Sequence, residues 1–365
     1  MSSVPLWRSW RWGVVAGATA VLVSMPVLVA VRPTRTPPVV AADLAHLVLG
    51  SGSVPYEGYA SARGGLQFPA FPRAGDAATL LGDRTALRAW VAGPTRWRVD
   101  VLSTTGERDT YRDGTTLWTW ISHDQRVQRA DDTSPLRLPR ANDLLPPELG
   151  RRLLAGASDT ELTTLAPIRV AGHTAAGLRV TPASPDTMVG TVDLWADPTT
   201  GVPLRVEVTA RGAAHPAFES TFVDFSLTAP SPATVTFVPL AGIPIDNGND
   251  GLDLVQLATR FQRLALPDTL AGTARSSPSG AAATYGQKFD TVTVVAVTQR
   301  NAGNLLGADV PTTVRPWGGS ARVLSTPLVS VMAVTTNRAT YVIAGAVTLE
   351  VLDRFAIAIV DGASP

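Results

Sequence analysis

A chain of 365 residues, 45% of them hydrophobic, is long enough to bury a large core, and its formal net charge of +1 gives no electrostatic case for nucleic acid. There is no cysteine, which excludes a disulfide frame, a thiol nucleophile and any cysteine-based metal site. Gly and Pro, at 31 and 29 residues, suit a loop-rich β protein.

Residues 1–12 set Arg8 and Arg11 among Trp7, Trp10 and Trp12, and Gly13 to Val31 then runs without a charge. A helix crossing a bilayer needs ~20 apolar residues, and Trp and Arg gather at membrane interfaces. Residues 13–31 are therefore predicted to be a retained transmembrane anchor. A cleaved signal peptide competes with this, its small-residue site at Val40-Ala41-Ala42, but the uncharged run exceeds the usual signal core. Arg32 and Arg35 balance Arg8 and Arg11, and the short leading segment favours a cytoplasmic tail over 1–12. The bulk of the chain is then expected outside the cytoplasm, on a single-pass protein of the cell membrane. Residues 32–40 contain Pro33, Pro37 and Pro38 and read as a linker.

Residues 41–49 predict a short amphipathic helix through Leu44, Leu47 and Val48, and 56–63 a first strand. The stretch 64–83 is a Gly/Pro-punctuated loop holding Leu66, Phe68, Phe71, Leu80 and Leu81, which suggests a packed flap. Arg84 to Arg129 then predicts an antiparallel meander with strands at 84–92, 96–103, 107–112, 115–121 and 125–129. Turn chemistry separates them at Gly93-Pro94-Thr95, Thr105-Gly106, Asp113-Gly114 and His123-Asp124. Trp97, Val99 and Val101 alternate with Arg96, Arg98 and Asp100, so one face is apolar. A simple turn at Pro94-Thr95 adds Trp90 to that face, opposite Val99. Both sides of 117–121 are apolar, and the pattern does not assign Trp118 or Trp120 to a face.

Asn142-Asp143 predicts a helix cap ahead of Leu145, Leu149 and Leu153, with Pro146 and Pro147 in the first turn and Gly156 at the end. Strands are expected at 168–170, 176–181, 191–196, 203–210 and 217–227, giving about ten in a domain over 41–238. The Gly/Pro/Asn-rich stretch 238–251 is a predicted boundary. Within it, Asp246 to Asp253 superficially resembles a calcium loop, but Gly248 and Leu257 occupy positions where ligands are needed. A smaller α+β domain over 252–365 follows. It has a helix at 252–264, strands near 291–299, 321–335 and 339–347, and a last helix capped by Thr348 with the stripe Leu349, Leu352, Phe355 and Ile359.

No two of His46, His123, His173 and His215 stand at metal-ligand spacing, and each reads as a surface residue. No nucleophile elbow, P-loop or dinucleotide fingerprint occurs. Glu107 and Asp109 make a carboxylate pair, but Arg108 and Arg112 beside them point to a solvated strand face. Neither an enzyme nor a cofactor or metal site is expected.

The segments VPYEGYASARGGLQFP, LLGDRTALRAWVAGPTRWRVDVL and GERDTYRDGTTLWTW, with DLLPPELGRRLLAGAS, TYGQKFD and RPWGGSARVLSTPLVSV later, resemble a large actinobacterial family. It is described as LolA-like or RseB (MucB) N-terminal-like, the sigma-E regulatory protein B type. The resemblance implies a mainly β fold: a half-open antiparallel β-barrel around helices, with a hydrophobic cavity for a lipid or a lipoprotein acyl chain. The cavity is expected against Trp90, Trp97, Val99 and Val101. The alternative that the resemblance implies is an RseB-like regulator that binds a membrane anti-sigma factor.

Overall fold

The computed structural model describes residues 39–65, 80–81, 84–103, 106–132, 136–239, 241–247, 254, 258, 266–278, 280–306 and 310–363. The predicted anchor at 13–31, most of the flap at 64–83 and most of the helix at 252–264 lie outside these residues. Tyr56–Gly64 (β1), Arg84–Gly93 (β2), Arg96–Ser103 (β3), Gly106–Asp113 (β4), Thr116–Ile121 (β5) and Arg126–Asp131 (β6) form the expected meander. Leu162–Val170 (β7), His173–Val180 (β8), Val189–Ala196 (β9), Pro203–Ala210 (β10) and Phe218–Ser226 (β11) follow, then the short Ile245–Asn247 (β12). Among the described residues these make one sheet, ordered β12-β6-β5-β4-β3-β2-β1-β11-β10-β9-β8-β7. Every pairing in it is antiparallel except that of β12 with β6. The two ends of the chain's strand-rich part meet at β1 and β11, and β7 comes round to touch β11.

Two helices, Ala41–Gly50 (α1) and Pro146–Leu154 (α2), pack on one face of this sheet, α1 against β7 and β8 and α2 against β10 and β11. We refer to it as the helix-bearing face. The sequence placed Leu47 in the buried stripe of α1; instead Ala41, Leu44, Ala45 and Val48 are buried and Leu47 is 39% exposed. At 100° per residue the seam centres between Val48 and Ala41, and Leu47 falls well to one side. The buried residues of α2 are likewise Pro146, Pro147, Gly150 and Leu154, with Leu149 and Leu153 only half-buried. Gly150 explains this: a Cβ there would lie 2.7 Å from Leu194 Cδ1 and 2.9 Å from Pro203 Cγ. The helix backbone itself rests on β9 and β10, and the large side chains straddle that contact. Gly201, at φ +72°, makes the matching approach to α1, where a Cβ would stand 2.3 Å from the Leu47 carbonyl oxygen.

The later part of the chain builds a second core. Thr269–Leu270 (β13) and Thr273–Ala274 (β14) form a small hairpin. Ala282–Tyr285 (β15), Val292–Val297 (β16), Thr312–Val314 (β17), Ser320–Ser325 (β18), Ser330–Thr335 (β19) and Thr340–Gly345 (β20) form an antiparallel sheet ordered β15-β16-β20-β19-β18-β17. Gln299–Leu306 (α3) and Leu349–Ala363 (α4) pack on it. The single strand expected at 321–335 is two strands, because Thr326 closes a turn by bonding Val329 through both backbone and side chain. In α4, Leu352, Phe355 and Ile359 are buried as the stripe predicts. Several contacts tie the two cores, among them Lys288 with Glu161 at 3.6 Å and Leu328 packed into the first core. Met188 N donates to Ala346 O at 2.8 Å, Thr348 N donates to Asp186 O at 2.9 Å, and Arg354 pairs with Asp186 at 2.5 Å.

Candidate functional site: the two faces of the meander

Strands β1 to β5 present two differently built faces, and the register decides which residue belongs to which. Trp97, Val99 and Val101 lie on the helix-bearing face, opposite Val91, Ala89 and Leu87 of β2. Trp90 does not join them. Ala92 is an extra residue in β2, a bulge between Val91 and Gly93, so Trp90 pairs with Arg98 rather than Val99 and turns to the far face. One inserted residue in a period of two moves every side chain beyond it to the other side. The turn at Pro94-Thr95 is as expected; the bulge beside it carries no signal in the sequence.

The helix-bearing face is apolar over β2 and β3, while β4 brings Arg108, Thr110 and Arg112 to it. Trp97 and Val99 are buried, and Val101 packs half-buried against the same core. The segment Ala141–Leu144, a 3-10 turn leading into α2, lies over β3, with Leu144 and Leu145 buried. Asp143 fixes this turn. It accepts from the Arg140 backbone N–H at 2.8 Å and pairs with Arg137 at 2.5 Å and Arg152 at 2.9 Å. Burial works against its charge, but the Arg137 hydrogen bond and the nearby guanidinium charges prevail and hold its carboxyl below the usual range. Tyr56, not singled out by the sequence, occupies the same row as Val91 and Trp97. Its ring meets Phe222 edge-on at 5.8 Å and Phe225 at 6.0 Å. Its hydroxyl is buried and has no hydrogen-bond partner among the described residues. Burial, reinforced by Glu148 and opposed by Arg151, pushes its pKa up. Near it, His173 is half-buried, its Nε2 3.2 Å from Phe225 O, and so is not the surface residue expected.

The far face buries charge. Arg98 lies between two rings, its Cζ 5.0 Å from the centroid of Trp90 and 4.9 Å from that of Tyr111. Its Nε and Nη2 bond Asp100 at 2.7 Å each, and Nη2 also bonds Asp109 Oδ2 at 3.0 Å. Phe237 stacks on Trp118 at 5.1 Å and meets Tyr111 edge-on at 5.4 Å, which places Trp118 on this face. Trp120, opposite Asp109, shares the side. The expectation of a solvated face for Glu107 and Asp109 is thus corrected: Asp100 is 0% and Asp109 8% exposed. Arg108 and Arg112, neighbours in sequence, point to the opposite face, and the arginine that meets the carboxylates comes from β3. Burial, then the charge of Asp100, pushes the Asp109 carboxyl up to about 7, against the pull of Arg98.

No protein-family model and no curated protein matches the chain. Among solved structures it is similar to MucB at 15% identity, covering 87% of this chain and 96% of that one with a TM-score of 0.45. It is also similar to the Pseudomonas aeruginosa MucA/MucB complex structure at 17% identity, covering 87% and 96% with a TM-score of 0.46. A LolA superfamily protein from Nitrosomonas europaea is similar at 14% identity over 55% of this chain and 98% of that one, with a TM-score of 0.25.

Proposed function

We propose that the chain is a membrane-tethered extracytoplasmic binding protein. It takes a lipid, or the acyl chain of a lipoprotein, on the helix-bearing face against Trp97, Val99 and Val101. Tethering rests on the uncharged run 13–31; no helix among the described residues is long and apolar enough to cross a membrane. The chain folds as two units that divide within 238–251. The observation that carries the binding reading is the Tyr56 hydroxyl, buried without a hydrogen-bond partner among the described residues. A buried unsatisfied hydroxyl costs about 1–3 kcal/mol, and an ester or amide carbonyl at the head of an acyl chain would accept its hydrogen bond. Entry means lifting Ala141–Leu145. Exposing Leu144 and Leu145 costs about 3–6 kcal/mol, which about four to eight methylenes at ~0.8 kcal/mol each offset.

Tyr56→Phe tests this. The variant should melt at the same temperature as the wild type or higher, since it loses an orphan polar atom, yet bind a fluorescent fatty-acid ester about tenfold more weakly. Equal binding by the two proteins would remove this face as the site.

A second reading makes the chain the receptor for an extracytoplasmic segment of a membrane anti-sigma factor. It is favoured by the open edge at β17, where Thr312, Thr313 and Val314 are all exposed and an extended peptide can add as a strand. Lipid on one site and peptide on the other are compatible in a sensor.

A further inference from the structure

The far face holds a group of side chains that neither reading uses. Asp100, on β3, and Glu107 and Asp109, on β4, each bring a carboxylate oxygen within 4.8 Å of the other two. Asp100 and Asp109 are a directly opposed pair, while Glu107 sits half-exposed at the edge of the group. Three carboxylates face one guanidinium, that of Arg98, so with all three ionised two negative charges go uncompensated where Asp100 has no contact with solvent. The other basic groups near the group do not correct this. Arg88, opposite Asp100, is exposed and lies over the Trp90 ring, and Arg108 and Arg112 turn to the other face.

A second observation is independent of the charge count. Arg98 takes Oδ2 of Asp109; Oδ1 is sealed from solvent and has no hydrogen-bond partner among the described residues. Buried carboxylate oxygens are ordinarily satisfied, and an orphan one calls for a cation or a proton. The separation of the three oxygens suits a cation: two oxygens on one calcium ion lie at most about 5 Å apart, twice a bond of 2.3–2.6 Å. All donors are oxygen, with no nitrogen or sulfur, which selects calcium, magnesium or manganese over zinc or copper.

We propose that Asp100, Glu107 and Asp109 form a site for a hard divalent cation, calcium in the first instance, on the face turned away from the apolar one. The ion enters past Glu107, takes one oxygen from each carboxylate and completes its shell with water. Arg98 remains in place as the positioning residue, holding Asp100 and Asp109 side by side. A bound divalent ion brings the group to neutrality. It thereby locks β3 to β4, the two strands whose other face carries Trp97, Val99 and Thr110. The site is separate from the proposed acyl-binding face, so either assignment stands if the other fails.

The test uses the full chain, stripped with EDTA and dialysed into pH 7.5 buffer. Calcium chloride at about a hundredfold excess over Kd should raise Tm by about 5 °C, and equilibrium dialysis should find about one ion per chain. Both effects should be lost in Glu107→Gln, a half-exposed position where the substitution leaves the fold intact, and in Asp109→Asn if that variant folds. An unchanged Tm with calcium, magnesium and manganese overturns the proposal, as does a rise that survives in Glu107→Gln. Stabilisation by lowering pH in EDTA, with no rise in Tm when calcium is added at pH 7.5, overturns it as well and assigns the deficit to a proton.

Discussion

The two faces of β2–β4 are both buried, and by opposite means. On the helix-bearing face Leu87, Ala89, Trp97 and Val99 are removed from water by other apolar groups, so each contributes in proportion to its area. On the far face Arg98, Asp100 and Asp109 are removed from water together, and each tolerates burial only because the others are present. The first kind of burial degrades gradually as side chains are trimmed. The second fails as a unit, because deleting one member leaves a charge without its partner.

The largest effect should follow from Arg98→Met. It leaves Asp100 and Asp109 facing each other with no guanidinium, and urea unfolding should show a loss of about 3–5 kcal/mol at pH 7.5. Lowering the pH should restore part of this, since protonation relieves the repulsion; a loss independent of pH would mean that Arg98 acts through packing on Trp90 and Tyr111 instead. On the other face, Leu87→Ala should cost about 3 kcal/mol, the usual sum of lost burial and a residual cavity. That loss should not change with pH or salt, and a pH-dependent loss would show that the two faces are coupled.

A smaller effect separates the faces by titration alone, in EDTA. The Asp109 carboxyl is pushed up to about 7, so the folded chain keeps a proton there that the unfolded chain releases near its ordinary carboxylate pKa. That contribution is full below the unfolded pKa and is lost as pH rises through about 7. Glu161 acts in the opposite sense. The Ser158 and Ala183 backbone N–H groups lower it to about 2, so its contribution is present above its unfolded pKa and lost as pH falls towards 2. Stability measured by chemical denaturation should therefore be greatest at about pH 4, and Asp109→Asn should flatten only the decline between about pH 4 and 7. A decline that persists in the variant would place its source elsewhere. The smallest effect belongs to Arg96→Ala. Arg96 pairs with Asp113 at 3.1 Å, but both side chains are more than half exposed at 52% and 58%, and the change should cost less than about 0.5 kcal/mol.

Much of this architecture is written in local patterns. The strands of the meander, the helix expected at 41–49, the prolines that open α2 and the apolar stripe of the last helix were all legible, because period and turn chemistry act over a few residues. The placement of Trp97, Val99 and Val101 on one face was legible for the same reason. What only the tertiary structure decided is contact between elements. The Ala92 bulge sends Trp90 to the far face, since the register of β2 against β3 is settled by the whole sheet and not by the turn alone. The close approach of α2 to the sheet at Gly150 moves its buried stripe away from Leu149 and Leu153. Asp100 and Asp109 read as solvent-facing because alternation marks a strand's polar side and says nothing about whether water reaches it. Here Trp90, Arg98, Tyr111 and Phe237 cover that side, and Phe237 lies more than a hundred residues away along the chain. An orphan hydroxyl and an orphan carboxylate oxygen are visible only once every neighbour is in place, because burial belongs to the assembled fold and not to any segment of it.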